Sequence, residues 1–185
     1  ASVIKTVAEC LLPYIHKTPL VLDPVMFAKG GAPLLAADAL DTLKEYLVPI
    51  AEIITPNIPE AEFLSGIKIT TINDMEIAAV KILALGCKSV LMKGGHLNGG
   101  ELTDILVTKN EAHHFTQSRI ATQHTHGTGC TLASAIATGL TQRLSLYDAV
   151  VRARAYVRKA IELAPHLGKS HGPLGHAHTV QEFKA

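Results

Sequence analysis

The sequence predicts an α/β fold with a mainly parallel sheet. Three short apolar stretches carry that reading: Pro19-Leu20-Val21-Leu22, Glu52-Ile53-Ile54-Thr55 and Ser89-Val90-Leu91-Met92. Helical patterning separates them, and such alternation builds βαβ units with right-handed crossovers. Each stretch also ends in polar residues, at Asp23, at Asn57, and at Lys93 before Gly94-Gly95. Ligands of open parallel sheets sit beyond the carboxyl ends of the strands, so these clusters are expected on one rim.

The elements follow in order. Residues 2–16 space Val3, Ile4, Val7, Ala8, Leu11, Leu12 and Ile15 as a helix. After the first strand, Lys29-Gly30-Gly31 reads as a loop, and Pro33-Leu34-Leu35 leads into a helix reaching about Tyr46. A brief helix from Pro59 to Leu64 stops at Gly66. Asn73 with Glu76 is the expected cap of the next helix, which Gly86 closes. Residues 102–108 and 112–116, joined by Lys109-Asn110-Glu111, read as a hairpin. A helix runs from the Gly127 region to about Gln142, and Ser145 with Asp148 starts a last long one to about Ala164. Residues 168–178, rich in His and Gly, are expected to be loop.

At 185 residues and 48% apolar content, the chain suits one domain, residues 1–185, with a substantial core. Seventeen basic residues against sixteen acidic ones leave no bulk field to attract nucleic acid or a membrane surface. Ten histidines are scattered, without an HExxH pattern. Cys10, Cys87 and Cys130 show no CxxC spacing, which fits a reducing, cytoplasmic setting.

The chemistry concentrates at Thr125-His126-Gly127-Thr128-Gly129-Cys130, a Gly-rich turn running into a small-residue helix. Helix N-termini present N–H groups without intrahelical partners, and phosphate is their natural occupant. Cys130 admits three readings: a small core residue, a covalent nucleophile with His124 or His126 as base, or the group taking a proton from a substrate hydroxyl. Asp23, Asn57 and Glu60 supply the hard oxygen donors that Mg²⁺ prefers, although Asn57 also suits a helix cap. Lys93 suits a phosphate as a point charge. Val25 and Met26, just after Asp23, are placed to wall a flat substrate or to sit at the edge of the core. His113 and His114 fall in a hairpin strand and cannot both face inward.

Four motifs in order resemble the hydroxymethylpyrimidine/phosphomethylpyrimidine kinase family of the ribokinase-like superfamily. They are Leu22-Asp23-Pro24-Val25-Met26 with Ala28-Lys29; Thr55-Pro56-Asn57-Ile58-Pro59-Glu60-Ala61; Met92-Lys93-Gly94-Gly95-His96; and Thr125 to Thr131. Gly168-Lys169-Ser170-His171-Gly172-Pro173-Leu174 fits as well. The resemblance implies a ribokinase-like three-layer sandwich. It also implies ATP- and Mg²⁺-dependent phosphorylation of the hydroxymethyl group of a pyrimidine, and then of its monophosphate, in thiamine biosynthesis. By the same carry-over, Gly127, Thr128 and Gly129 hold the transferring phosphoryl group and Cys130 acts as base. Lys93, Asn57, Thr128 and Arg154 serve ATP and its phosphates, Arg154 standing where relatives often carry Lys. Val25 and Cys130 meet the substrate, and Asp23 and Glu60 organise the metal.

Against that family the sequence opens after the expected first strand and substrate loop, so the sheet is expected to be incomplete at the N-terminus and the chain weakly active alone. The resemblance implies a homodimer. A pyridoxal or related vitamin kinase, a non-catalytic nucleotide-binding fragment and a Cys130-dependent hydrolase are the competing readings.

Overall fold

A computed structural model describes residues 1–28, 32–95 and 99–180. Two compact units make up the chain, Ala1–Ser118 and Arg119–Ala185. The expected Lys29-Gly30-Gly31 loop and His96 lie outside the described residues.

In the first unit, five strands form one sheet in sequence order: β1 (Val21–Leu22), β2 (Ile53–Ile54), β3 (Ser89–Met92), β4 (Glu101–Thr108) and β5 (Ala112–Ser118). The first three run parallel, with Leu22 opposite Ile54 and Ile54 opposite Val90. Every residue of β3 is buried, as a parallel strand covered on both faces requires. β4 returns antiparallel to β3 because residues 93–100 are too few for a crossover, which takes roughly a dozen or more. β4 and β5 make the expected hairpin, closed where the Thr108 hydroxyl accepts the Asn110 and Glu111 amides at 3.2 Å.

Helices flank this sheet: α1 (Ser2–Leu11), α2 (Ala37–Thr42), α3 (Ile58–Ser65) and α4 (Ile72–Leu83). Helix α4 packs on β3 and β4, and α1 packs on α2 and the π turn Leu43–Leu47 that follows it. The core joins Ile54, Met75, Ile82, Val90, Met92 and Ile105, all essentially inaccessible.

Three boundaries differ from the sequence expectation. Helix α1 ends at Leu11 rather than near residue 16: Leu12 keeps helical geometry, but Pro13 has no N–H to donate to the Glu9 carbonyl and continue the ladder. The helix expected to reach Tyr46 loosens into the π turn ahead of Pro49, which has no N–H to continue the ladder. The cap of α4 is Thr71 with Asp74, not Asn73 with Glu76. The Asp74 carboxylate accepts from Thr70 N, Thr70 Oγ1 and Thr71 N at 2.9–3.0 Å, and these donors pull its pKa down to about 2.

In the second unit, α5 (Thr128–Thr141) packs along α6 (Leu146–Glu162). The Ser145 hydroxyl caps α6 by accepting the Asp148 amide at 3.1 Å, as expected. The loop after α6 includes one short 3₁₀ turn, His176–Thr179. Gly139 is where the two helices meet: a Cβ there would stand 2.8 Å from Ala149 Cβ and 3.1 Å from its Cα.

That contact fixes the helix spacing, so Gly139→Leu is expected to destabilise the second unit by about 1–3 kcal/mol. Urea unfolding followed by circular dichroism reads this as a lowered midpoint. An unchanged midpoint would show that the helices separate freely.

Candidate active site

The register of the parallel strands determines what meets at their carboxyl ends. One residue beyond the Leu22–Ile54 pair, the Thr55 amide donates to Leu22 O at 3.0 Å and sets Thr55 beside Asp23. Three residues beyond the Ile54–Val90 pair, Asn57 forms an isolated parallel bridge with Lys93. The Lys93 amide donates to Pro56 O at 2.9 Å.

Side chains complete the cluster. Lys93 Nζ donates to Asp23 Oδ1 at 3.0 Å, and the two side chains are 17% and 13% exposed. Thr55, fully buried, donates its hydroxyl to the same Asp23 oxygen at 3.0 Å. Asn57 and Glu60 form a reciprocal capping box on α3. Asn57 Oδ1 accepts the Glu60 amide at 3.0 Å, and Glu60 Oε2 accepts the Asn57 amide at 2.7 Å. An acid in the first helical turn also complements the helix dipole.

Glu60 is 3% exposed, and burial pushes its carboxyl above the ordinary range. Lys93 opposes that rise, as do amide hydrogen bonds from Asn57 and Met26, while the nearby Asp23 charge adds to it. Among the described residues no group of three His, Cys, Asp or Glu side chains gathers to hold a metal. Asp23 and Glu60 are the smaller set that suits Mg²⁺, which takes one or two carboxylates and completes its shell with water and phosphate.

In the second unit, Gly127 is the N-cap of α5 with φ +83°, a conformation that favours glycine. Thr128 and Gly129 open the helix, and the Thr128 hydroxyl donates to Thr125 O at 3.2 Å. Cys130 follows in the first turn and is exposed. The core reading of that thiol is therefore excluded, whereas Cys87 is the buried one, pushed up to about 11 by desolvation. Arg154 lies mid-way along α6, half-buried.

The structure thus gathers Asp23, Asn57, Glu60 and Lys93 in the first unit and Gly127, Thr128, Gly129 and Cys130 in the second. Val25 stands 40% exposed just after Asp23, while Met26 is buried and spends its amide on Glu60. His113 and His114 pair with Glu111 and Glu76 at 3.2 and 2.8 Å, in keeping with a structural role. Two site neighbours escape the sequence reading. Thr55 holds Asp23, and Asp104, buried in β4, accepts the Gly94 amide at 3.0 Å. An acid inside the apolar run Ile105-Leu106-Val107 and its approach was the available signal for the second.

Residues 1–175 match the family model for phosphomethylpyrimidine kinase. The chain belongs to the phosphomethylpyrimidine kinase family. Over 184 residues it is 46% identical to the thiamine biosynthesis bifunctional protein ThiED of Geobacter sulfurreducens, covering 100% of this chain and 37% of that protein. A phosphomethylpyrimidine kinase structure from Clostridium difficile superposes with a TM-score of 0.75 at 44% identity, over 86% of this chain and 64% of that one. The pyridoxal kinase of Staphylococcus aureus in complex with AMP-PCP superposes with a TM-score of 0.88 at 30% identity, over 97% and 65%. The chain therefore spans less than two thirds of each of these relatives. Both structural relatives place it on the ribokinase-like fold, as expected from the motifs.

Glu60 makes the family cluster sensitive to pH. Its folded pKa lies above the unfolded value, so its contribution to stability is complete below the unfolded pKa and is lost as pH rises through the folded one. Glu60→Gln keeps an oxygen for the Asn57 amide and removes the charge. The variant is expected to melt at or above the wild-type temperature at pH 7 and to lose that advantage at pH 4. Calorimetric melting across this range checks it; an advantage that grows on acidification would reverse the assignment.

Proposed function

We propose that this chain carries the phosphate- and metal-handling part of a kinase that transfers the γ-phosphoryl group of ATP to hydroxymethylpyrimidine and then to its monophosphate, in thiamine biosynthesis. The observation that carries the reading is the coincidence of the family match over residues 1–175 with the cluster of Asp23 and Lys93 at two strand ends and Glu60 in the first turn of α3. The AMP-PCP bound by the Staphylococcus aureus relative supports ATP as donor.

The roles follow from chemistry. The N–H groups of the first turn of α5, after Gly127, cradle the transferring phosphoryl oxygens, with Thr128 and Gly129 keeping the approach open. Lys93 neutralises phosphate charge from a strand end. Asn57 fixes the Glu60 carboxylate, and Arg154 supplies a second cation toward the nucleotide. Asp23 and Glu60 would hold Mg²⁺, which when bound shields the phosphate oxygens. Val25 flanks the pyrimidine ring. Cys130 takes the proton of the substrate hydroxyl as its oxygen bonds to phosphorus and the bond to ADP breaks. Catalysis of this kind is mostly positioning and charge stabilisation. The assembly is expected to be a homodimer in the cytoplasm.

The 0.88 TM-score to a pyridoxal kinase keeps pyridoxal as the competing acceptor. Incubation with γ-labelled ATP and both acceptors separates the two readings, with hydroxymethylpyrimidine expected to have the larger kcat/KM. Preference for pyridoxal would move the chain to the vitamin-kinase reading, and ADP binding without label transfer would leave a nucleotide-binding fragment.

Cys130→Ala is expected to lower the transfer rate about 10²–10⁴-fold with ADP affinity unchanged. Initial rates and titration calorimetry check this. An unaltered rate would remove Cys130 as the proton acceptor.

A further inference from the structure

The segment after α6 is not absorbed by the chemistry above, yet it grips the turn that leads into α5. His124, 6% exposed, lies edge-on to the His166 ring with centroids 4.5 Å apart. Among the described residues its buried Nδ1 finds no hydrogen-bond partner, and it faces Gly172. A Cβ on Gly172 would overlap that Nδ1 and stand 2.7 Å from Leu167 O. Two hydrogen bonds flank this contact: the His126 amide donates to Gly172 O at 3.2 Å, and His171 Nδ1 meets Gln123 O at 3.2 Å. Gly127, the left-handed N-cap of α5, is the next residue after His126.

We propose that residues 166–172 form a brace that sets the position of the Gly127 turn, and that His124 and Gly172 are positioning residues for phosphate binding at the start of α5. This rests on the reading of Gly127 to Cys130 as the phosphate loop. A buried imidazole nitrogen without a partner is unfavourable, so the ring is held by packing against His166 and Gly172, while the His124 amide donates to Thr122 Oγ1 at 3.1 Å. His166 adopts φ +54°, a conformation non-glycine residues avoid, which the surrounding contacts must impose. Only a residue without a side chain at 172 lets the imidazole and the 167 carbonyl close on the same backbone. The brace acts through backbone position and touches no reacting atom.

The experiment compares wild-type chain with Gly172→Ala in two measurements. Hydrogen exchange of ligand-free protein is expected to speed up about tenfold or more at amides 125–131 while β3 amides stay as protected as before. Titration calorimetry is expected to show ADP affinity falling about tenfold with adenosine affinity unchanged, because only the phosphates reach the turn. Unchanged exchange at 125–131, or equal loss in β3, would overturn the brace. Equal loss of ADP and adenosine affinity would overturn the positioning role. Should Gly172→Ala fail to fold, His171→Ala, which removes only the bond to Gln123 O, decides by the same two readouts. Wild-type protein that binds ADP no more tightly than adenosine would refute the phosphate reading and with it the positioning role, leaving the brace to the exchange data alone.

Discussion

The Lys93–Asp23 ion pair is the interaction on which the first unit's chemistry depends. It joins the ends of β1 and β3 across the intervening β2, where Thr55 adds a hydroxyl to the same carboxylate oxygen. At this burial the attraction is largely offset by desolvation of both ions, so the pair contributes less to stability than to a unique arrangement. Removing either partner leaves the other charged and half enclosed. A register slip of one residue between β1 and β2 would also take Thr55 away from Asp23. The pair thus makes the strand ends report on sheet register, and the sheet in turn holds a carboxylate and an ammonium in fixed positions.

The Asn57–Glu60 capping box removes the remaining freedom. Capping and, on the proposed reading, metal binding both draw on Glu60. One Glu60 oxygen accepts the Asn57 amide, and that bond fixes the plane of the carboxyl group rather than exhausting it. The ordinary helix-start function is therefore also what presents Glu60 toward Asp23, close enough for the Asp23 charge to raise its pKa. Sites built on regular elements gain their precision in this way.

Much of this was legible in the sequence, for identifiable reasons. Apolar runs ending in Asp23, Asn57 and Lys93 announced the parallel strands and their polar ends, because those patterns express burial directly. Ser145 with Asp148 and the stop at Gly66 were readable because capping is local. The misread boundaries were cases of two local signals in competition. Pro13 overrode the apolar spacing of α1, and Thr71 with Asp74 outcompeted Asn73 with Glu76 because Asp74 reaches three donors at once. Thr55 and Asp104 were missed because their partners lie 32 and 10 residues away, and no local pattern encodes that proximity. The Gly172–His124 contact is hidden for the same reason: a glycine in a Gly-rich loop reads as flexibility until the ring it admits is known.

The charge balance of the cluster explains why its parts belong together. Two carboxyls face one ammonium, so with both acids ionised the strand ends carry a net negative charge and would repel a polyphosphate. Burial answers this by favouring the protonated form of Glu60, which leaves Lys93 and Asp23 as a neutral pair. A divalent cation is the alternative answer: it stabilises both carboxylates as ions and turns the same surface from repelling phosphate to attracting it. On the proposed reading, the burial that penalises an ionised Glu60 is offset when a cation is held beside it.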